Sequence, residues 1–268
     1  MKQLFWLWSF FLLACEDSIS TEGLKNITQE EISINNYCAL GASTASMGWQ
    51  REVAKNLNAK NYKNYAIGGT RWTHTALSVV DYSANASENP HNKIMTNQLA
   101  RLLKDKQELA YEPDVITIMC GLNDAATGPR ILGSFEETLP FNLAQIQINE
   151  WTNEAQYKKI RETVFGATRY VVEQLKLNFP NAKIVILTVQ QVDNGTYNNE
   201  NATFVNNVLK NIANRYDCNV IDVFNESGIV VVKDVPTIYL QADRLHPSAE
   251  GEKLLTKYVT EKLRQLLN

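Results

Sequence analysis

An aspartate and a histidine stand three residues apart near the end of the chain, at Asp243 and His246. In a tight turn this spacing places both side chains on one side, where the carboxylate can accept a hydrogen bond from the ring. Such a contact fixes the tautomer and stabilises the imidazolium that forms when the histidine takes up a proton. The pair therefore indicates general-base chemistry. A pair of metal ligands is the alternative, but the remaining histidines, His74 and His91, have no partner at ligand spacing.

Three further candidate groups each follow a short apolar run. Ser43 lies in a turn of small residues after the first run, where its hydroxyl can gain N–H donors from the start of a helix. Gly68 and Gly69 follow the second run and permit a tight turn with close backbone approach. Asn123 comes soon after the third run. Each also has a structural interpretation, as a helix cap, a loop or a turn former, so none by itself indicates catalysis.

Alternating strands and helices must hold these groups in place. Five short apolar runs, several of them rich in Val and Ile, predict strands, and segments with helical spacing lie between them. This alternation predicts an α/β fold, with a parallel sheet covered by helices on both faces. The predicted strands are 37–40, 62–67, 114–120, 183–189 and 219–224. The predicted helices are 49–57, 94–104, 153–179, 202–216 and a closing helix over 254–267.

Two connections are longer than this architecture requires. They run over residues 71–93 and 125–152, and each follows a strand end. Ligands of open parallel sheets bind beyond the carboxyl ends of the strands, so we expect both insertions to contact the substrate. Their mixed aromatic and polar side chains suit sugar stacking with hydrogen bonds to hydroxyls, although such aromatics also suit a satellite core. The candidate substrate contacts are Arg71, Trp72, His74 and Trp151.

In this order along the chain, the four segments resemble the SGNH hydrolases, also called the GDSL esterase and lipase family. The resemblance covers residues 34–268 and is most specific in the last segment, where Asp-x-Leu-His-Pro-Ser is followed by Gly251. It implies a flavodoxin-like three-layer α/β/α sandwich. The implied sheet has five parallel strands in the order 2-1-3-4-5.

The resemblance also implies a role for each candidate residue. Ser43 would be the nucleophile, His246 its general base and Asp243 the group that orients the base. The N–H groups of Ser43 and Gly69 and the side-chain amide of Asn123 would hold the oxyanion. This chemistry requires no cofactor and no metal.

One residue departs from the family pattern. The family usually has Gly-Asp-Ser around the nucleophile, whereas this chain has Gly-Ala-Ser with Ala42 in the middle. The missing aspartate is not a member of the triad, so the chemistry does not depend on it. Its absence motivates an alternative of another class, a surface glycan-binding protein that kept the fold and lost turnover. The joint presence of Ser43, Asn123, Asp243 and His246 argues against that alternative.

The amino terminus resembles the signal of a bacterial lipoprotein. Lys2 is followed by a largely apolar run that is shorter than the ~20 residues needed to span a bilayer. The run ends in Leu-Leu-Ala-Cys, similar to the lipobox in which the cysteine, here Cys15, is acylated. We expect a signal peptide at 1–14, an acidic and polar tether at 15–33 and one SGNH hydrolase domain at 34–268. A plain signal peptide with an incidental cysteine, or a eukaryotic secreted protein, is the alternative.

Composition restricts the partners. The chain has 26 Lys and Arg against 29 Asp and Glu, a formal net charge of −3, which argues against nucleic-acid binding because duplex binders usually carry a basic stripe. Hydrophobic residues at 44% and charged residues at 21% are ordinary for a globular protein, and four cysteines do not make a disulfide scaffold. The expected partners are a small-molecule or polysaccharide ester and a membrane that holds the lipid anchor.

These observations predict a serine esterase that is exported to the bacterial cell envelope and anchored there, either periplasmic or exposed at the surface. An anchored, exported SGNH protein suggests a carbohydrate O-deacetylase that removes small acyl groups from extracellular glycans. Within the enzyme class, hydrolysis of lipid acyl esters or thioesters is the alternative, as is acyl transfer to another sugar instead of water.

Overall fold

The computed structural model describes residues 34–73, 93–128, 132–133 and 162–268. The predicted signal peptide and tether, and most of both insertions, lie outside these residues. The predictions for Cys15, His74 and Trp151 therefore stay predictions. Within the described residues, no helix has both the length and the apolar character needed to cross a membrane.

A single parallel sheet forms the centre of the described fold. Its strands are β1 (Asn36–Gly41), β2 (Asn61–Asn64), β3 (Val115–Met119), β4 (Lys183–Leu187) and β5 (Asn219–Ile221). They lie in the order β2-β1-β3-β4-β5, and each neighbouring pair is parallel. This arrangement confirms the predicted five-stranded sheet and its order.

The second strand is shorter than predicted, although its pairing continues. The N–H groups of Tyr65 and Ile67 still donate to the carbonyls of Ala39 and Gly41, at 2.8 and 3.1 Å. Between these two bonds, the side-chain oxygen of Asn64 accepts the N–H of residue 66 at 2.9 Å. Because β2 is an edge strand, this N–H faces away from β1, and the asparagine satisfies a donor that the pairing with β1 does not use.

The fifth strand also ends earlier than the predicted range of 219–224. It stops at Ile221, because the Asp222 side chain accepts the N–H of Asn225 and caps a short helix. Aspartate is a favoured helix cap, so the apolar residues after it belong to that helix rather than to the strand.

Helices cover both faces of this sheet. Those in the described residues are α1 (Ser43–Ser46), α2 (Trp49–Asn56), α3 (Met95–Leu109), α4 (Leu122–Ala125), α5 (Val164–Asn178), α6 (Asn199–Arg215), α7 (Val223–Glu226) and α8 (Ala249–Leu267). The long helices match predicted segments. For the prediction at 153–179, the described part begins at residue 162 and the helix at Val164.

Side chains alternate between two hydrophobic layers along the strands. In β1, Cys38 and Leu40 pack with α3, α5 and α6, whereas Tyr37 and Ala39 pack with α2 and α8. A strand that is buried on both faces has apolar residues at successive positions, which explains why the predicted strands are continuous apolar runs. The result is the predicted three-layer α/β/α sandwich.

Candidate active site

Ser43 begins α1 immediately beyond the carboxyl end of β1. The turn depends on Gly41, whose φ of +148° is one that L side chains rarely adopt. A Cβ built there would lie 2.2 Å from the carbonyl oxygen of Met119. The N–H of Ala42 donates to that same oxygen at 3.0 Å. Glycine therefore lets the chain pass against β3 and present the Ser43 hydroxyl at the edge of the sheet.

Three predicted site residues form one hydrogen-bonded series. The Ser43 hydroxyl lies 2.9 Å from Nε2 of His246, a residue 203 positions away in sequence. Nδ1 of His246 lies 2.6 Å from Oδ2 of Asp243. Ser43 and His246 are half-buried and Asp243 is exposed. A hydroxyl, an imidazole and a carboxylate in this order can activate serine as a nucleophile.

The Asp243 carboxylate is held ionised and oriented. Its second oxygen accepts the N–H groups of Leu245 and His246, at 2.9 and 3.0 Å. Partial burial acts to raise the pKa of Asp243, but the hydrogen bonds from the His246 ring and these two N–H groups outweigh it. The pKa of Asp243 therefore lies below its usual value. At neutral pH the carboxylate can stabilise a protonated His246 ring.

Arg244 fixes the turn that carries this pair. Its φ of +55° lies in the left-handed region, which a non-glycine residue occupies only where its surroundings hold it. Its guanidinium donates to the carbonyls of Asp193, Val235 and Val232, at 2.6, 2.8 and 3.0 Å. It also forms an ion pair of 3.0 Å with the Asp193 carboxylate. Sequence reasoning assigned no role to Arg244, because its partners are distant in the chain.

The start of α8 holds the turn from the other side. The Ser248 hydroxyl caps the helix by accepting the N–H of Gly251 at 3.2 Å. A Cβ built on Gly251 would lie only 2.1 Å from the carbonyl oxygen of Tyr239. The glycine in the last motif thus allows the helix to pack against the segment that leads into the turn.

The loop with paired glycines adjoins the serine. A Cβ built on Gly68 would lie 3.9 Å from Cβ of Ser43, and Gly69 follows with a φ of +80°. The loop is closed by Thr70, whose N–H and hydroxyl both donate to the carbonyl of Ile67, at 3.2 and 2.7 Å. Gly69 therefore directly follows a residue that lies beside Ser43.

Asn123 joins this loop to the end of the third strand. It is the second residue of α4, which begins directly after Gly121, and the φ of +139° at Gly121 makes a second sharp turn at the sheet edge. Its amide nitrogen donates to the carbonyl of Thr70 at 2.8 Å, and its oxygen accepts from the hydroxyl of Tyr197 at 3.2 Å. A primary amide has two N–H groups, so the contact with Thr70 leaves one for another acceptor.

Asp124 anchors the beginning of the first insertion. It is fully buried, and its carboxylate accepts the N–H groups of Trp72 and Thr73 at 2.9 and 3.0 Å and the Thr73 hydroxyl at 2.8 Å. Burial raises the pKa of Asp124 to about 6, although these donors act to lower it. At the sequence level this residue looks like an ordinary turn former, and its burial is the information that sequence lacks.

The predicted substrate contact at Trp72 is wrong. The side chain is 1% exposed, and its indole N–H donates to the carbonyl of Cys120 at 3.0 Å. Trp72 therefore belongs to the core beneath the site, which is the satellite-core alternative for these aromatics. The backbone N–H of Trp72 donates to the buried Asp124 carboxylate, and this bond holds the residue in the core.

Two cations lie at the base of the same insertion. Arg71 is half-buried, and its N–H donates to the carbonyl of Lys93 at 3.0 Å. A Cβ built on Gly69 would lie 3.5 Å from Cδ and 4.0 Å from Nζ of Lys93. Arg71 thus stays a candidate substrate contact, and Lys93, which sequence reasoning did not single out, brings a second positive charge to the glycine loop.

The sequence matches the model of the GDSL-like lipase/acylhydrolase family over residues 17–254. The chain therefore belongs to this family of SGNH hydrolases and is an acylhydrolase by class, as the motifs predict.

Solved structures share the fold. A protein from Lactobacillus plantarum is similar with a TM-score of 0.59 and 14% identity, over 87% of this chain and 98% of that one. The lipase/acylhydrolase from Enterococcus faecalis has a TM-score of 0.53 and 17% identity, over 87% and 97%. A comparison with curated protein sequences gave no match.

Proposed function

We propose that the protein is a serine esterase in which Ser43, His246 and Asp243 act as a catalytic triad. The observation that carries this proposal is the series of two hydrogen bonds, 2.9 Å from Ser43 to His246 and 2.6 Å from His246 to Asp243. The family supports the reaction class, because its members are acylhydrolases.

The reaction proceeds in two acyl-transfer steps. Nε2 of His246 takes the proton of Ser43 as the serine oxygen attacks the ester carbonyl carbon, and Asp243 stabilises the imidazolium. When the tetrahedral intermediate collapses, the bond to the alcohol oxygen breaks and His246 protonates the leaving alcohol. Water then attacks the acyl-serine with the same base, and the acid is released with Ser43 restored.

The oxyanion of each tetrahedral intermediate is held by three donors. These are the N–H groups of Ser43 and Gly69 and the free N–H of the Asn123 amide. Two observations support this assignment: Gly68 adjoins Ser43, and Asn123 is bonded to Thr70 at the end of the same loop. Loss of one such donor typically costs about 3 kcal/mol of transition-state stabilisation.

The proposal is tested by hydrolysis of p-nitrophenyl acetate and by labelling with a fluorophosphonate, which reacts with activated serines. We expect Ser43→Ala and His246→Ala to abolish turnover and labelling, with the circular dichroism spectrum unchanged. Ser227→Ala is the matched control, because Ser227 is buried and its hydroxyl, among the described residues, only accepts the nearby N–H of Ile229. Turnover by Ser43→Ala at the rate of this control would refute the triad.

For the substrate, we propose a small acyl ester of an extracellular glycan, most simply an O-acetyl sugar. The support comes from the lipoprotein-like amino terminus and from the aromatic and polar residues of the insertions, among them Arg71, His74 and Trp151. The test compares p-nitrophenyl esters from acetate to dodecanoate and measures acetate release from an acetylated polysaccharide. Preference for long acyl chains would favour lipid esters instead, and binding of the glycan without acetate release would favour the glycan-binding alternative.

We also propose that the protein is exported and anchored through Cys15, with the folded domain beginning near residue 34. The apolar segment followed by Leu-Leu-Ala-Cys supports this proposal. Expression in a bacterial host with radiolabelled palmitate should label the wild-type chain but not Cys15→Ser. Equal labelling of both chains would contradict the anchor.

A further inference from the structure

A buried glutamine contacts two backbone segments that adjoin the candidate nucleophile. Gln98 lies in the first turn of α3 and is 0% exposed. Its side-chain oxygen accepts the N–H of Gly41 at 2.8 Å. Its amide nitrogen donates to the carbonyl of Gly41 at 2.7 Å and to the hydroxyl of Thr70 at 2.9 Å. One acceptor and both donor hydrogens of the carboxamide are therefore used.

The two segments that Gln98 contacts are the two that would hold the reacting atoms. Gly41 makes the turn two residues before Ser43. Thr70 closes the glycine loop, and its carbonyl accepts the amide of Asn123 at 2.8 Å. A single side chain thus connects the backbone that carries the nucleophile with the loop that would carry oxyanion donors.

Only a carboxamide can make this set of contacts. A glutamate would place an acceptor against the Gly41 carbonyl, and an apolar residue would leave the N–H of Gly41 without this buried partner. The neighbouring Ala42 has no polar side-chain atom with which to take over the role. The backbone bond from the Ile67 N–H to the Gly41 carbonyl, at 3.1 Å, also joins the two segments, and Gln98 adds the side-chain contacts that reach from Gly41 to Thr70.

We propose that Gln98 is a positioning residue for the acyl-transfer reaction. It sets the distance between the Ser43 hydroxyl and the oxyanion donors at Gly69 and Asn123, and it does not touch the substrate. This inference rests on the proposed esterase function. Reacting groups displaced by about 1 Å can lose about 10²-fold in rate, so the defect belongs in kcat rather than in KM.

The test uses two variants of Gln98. Gln98→Met keeps the approximate volume and removes all three hydrogen bonds, whereas Gln98→Glu keeps the acceptor and removes the donors. We expect kcat for p-nitrophenyl acetate to fall about 10²-fold in both, with KM changed by less than about threefold. Binding of a trifluoromethyl ketone, which forms an oxyanion on the serine, should weaken in proportion to kcat/KM.

Gln50→Met is the matched control. Gln50 is also 0% exposed, but it lies in α2 and accepts from the hydroxyls of Tyr37 and Thr117, at 2.7 and 3.4 Å. A merely structural role for Gln98 would make the two methionine variants alike in melting temperature and in kcat. We expect both to lose stability, and only Gln98→Met to lose kcat per folded molecule.

Three outcomes would overturn the inference. They are a kcat of Gln98→Met within about threefold of that of Gln50→Met, a defect confined to KM, or unchanged affinity for the ketone. If Gln98→Met does not fold, Thr70→Val tests the same link. It removes the hydroxyl that accepts from Gln98 and donates to the carbonyl of Ile67. It should lower kcat without raising KM, and an unchanged kcat there also refutes the role. Activity retained by Ser43→Ala would instead refute the esterase mechanism itself.

Discussion

At the scale of residues, the site combines one local pair with one distant contact. Asp243 and His246 meet within a single turn, and the carboxylate is also fixed by two N–H groups of that turn. The serine approaches from the other end of the sequence. Asn123 comes from a third segment and is held on both of its amide atoms, by Thr70 and by Tyr197. Each distant residue can therefore be changed without dismantling the Asp–His pair.

Asn123→Ala should lower kcat about 10²- to 10³-fold while KM changes little, because the amide acts on charge that develops in the transition state. Steady-state kinetics on p-nitrophenyl acetate give both constants. Tyr197→Phe removes only the contact to the amide oxygen, so it should cost less than Asn123→Ala. Asn225→Ala, at an exposed asparagine of α7, is the control for loss of an amide. An unchanged kcat in Asn123→Ala would remove this residue from the oxyanion site.

At the scale of elements, close backbone contacts determine where the site residues end up. Gly41 lets β1 turn against the Met119 carbonyl, and Gly251 lets α8 pack against the Tyr239 carbonyl. Gly121 makes the corresponding turn after β3. At each of these three glycines a side chain would overlap a neighbouring segment, so the absence of a Cβ permits the packing. Each glycine adjoins a segment that carries a site residue.

Gly251→Ala should destabilise the fold by about 1–3 kcal/mol, because the new Cβ would overlap the Tyr239 carbonyl oxygen and force α8 to shift. The shift should also lower kcat, since the Asp243–His246 turn directly precedes the helix. Urea unfolding and kinetics on the same preparation measure both effects. Gly48→Ala is the control, with a φ of −64° and a nearest contact of 3.6 Å. Equal stability of the two variants would contradict the steric argument.

At the scale of the whole molecule, buried and paired carboxylates give opposite pH dependences. The pKa values of Asp105, Asp222 and Asp243 lie below the usual value because hydrogen bonds to their charged forms outweigh burial. Their contribution to stability is present at neutral pH and is lost as the pH falls. The contribution of Asp124 to stability has the opposite pH dependence, because burial raises its pKa to about 6. The folded state holds its proton more tightly than the unfolded chain does.

The Asp124 contribution to the free energy of unfolding should therefore decrease as the pH rises from about 4 to about 6 and stay constant above that. The stability of the wild-type protein relative to Asp124→Asn, which cannot titrate there, should therefore be greater at about pH 4.5 than at about pH 7, by an amount on the order of 1–3 kcal/mol. Urea unfolding of both proteins at about pH 4.5 and about pH 7 measures the difference. A difference that does not change with pH would contradict the raised pKa.

Most of the architecture is readable from local patterns. Apolar runs of strand length, separated by helical periodicity, predict the parallel sheet, because both features depend only on neighbours along the chain. β5 ends earlier than predicted because the Asp222 side chain caps the helix that follows, whereas β2 keeps bonds to β1 beyond its last strand residue. Such contacts involve polar side chains, and a prediction based on apolar runs takes no account of them.

The sequence by itself determined the fold class through periodicity, the local Asp243–His246 pair through a short spacing, and the family through the match of its motifs. Only the tertiary structure decided the contact of Ser43 with His246, the burial of Trp72 and the role inferred for Gln98. Each of these depends on strands and helices that are distant in sequence and meet at one edge of the sheet. Their distances follow from how the layers pack, which no spacing along the chain specifies.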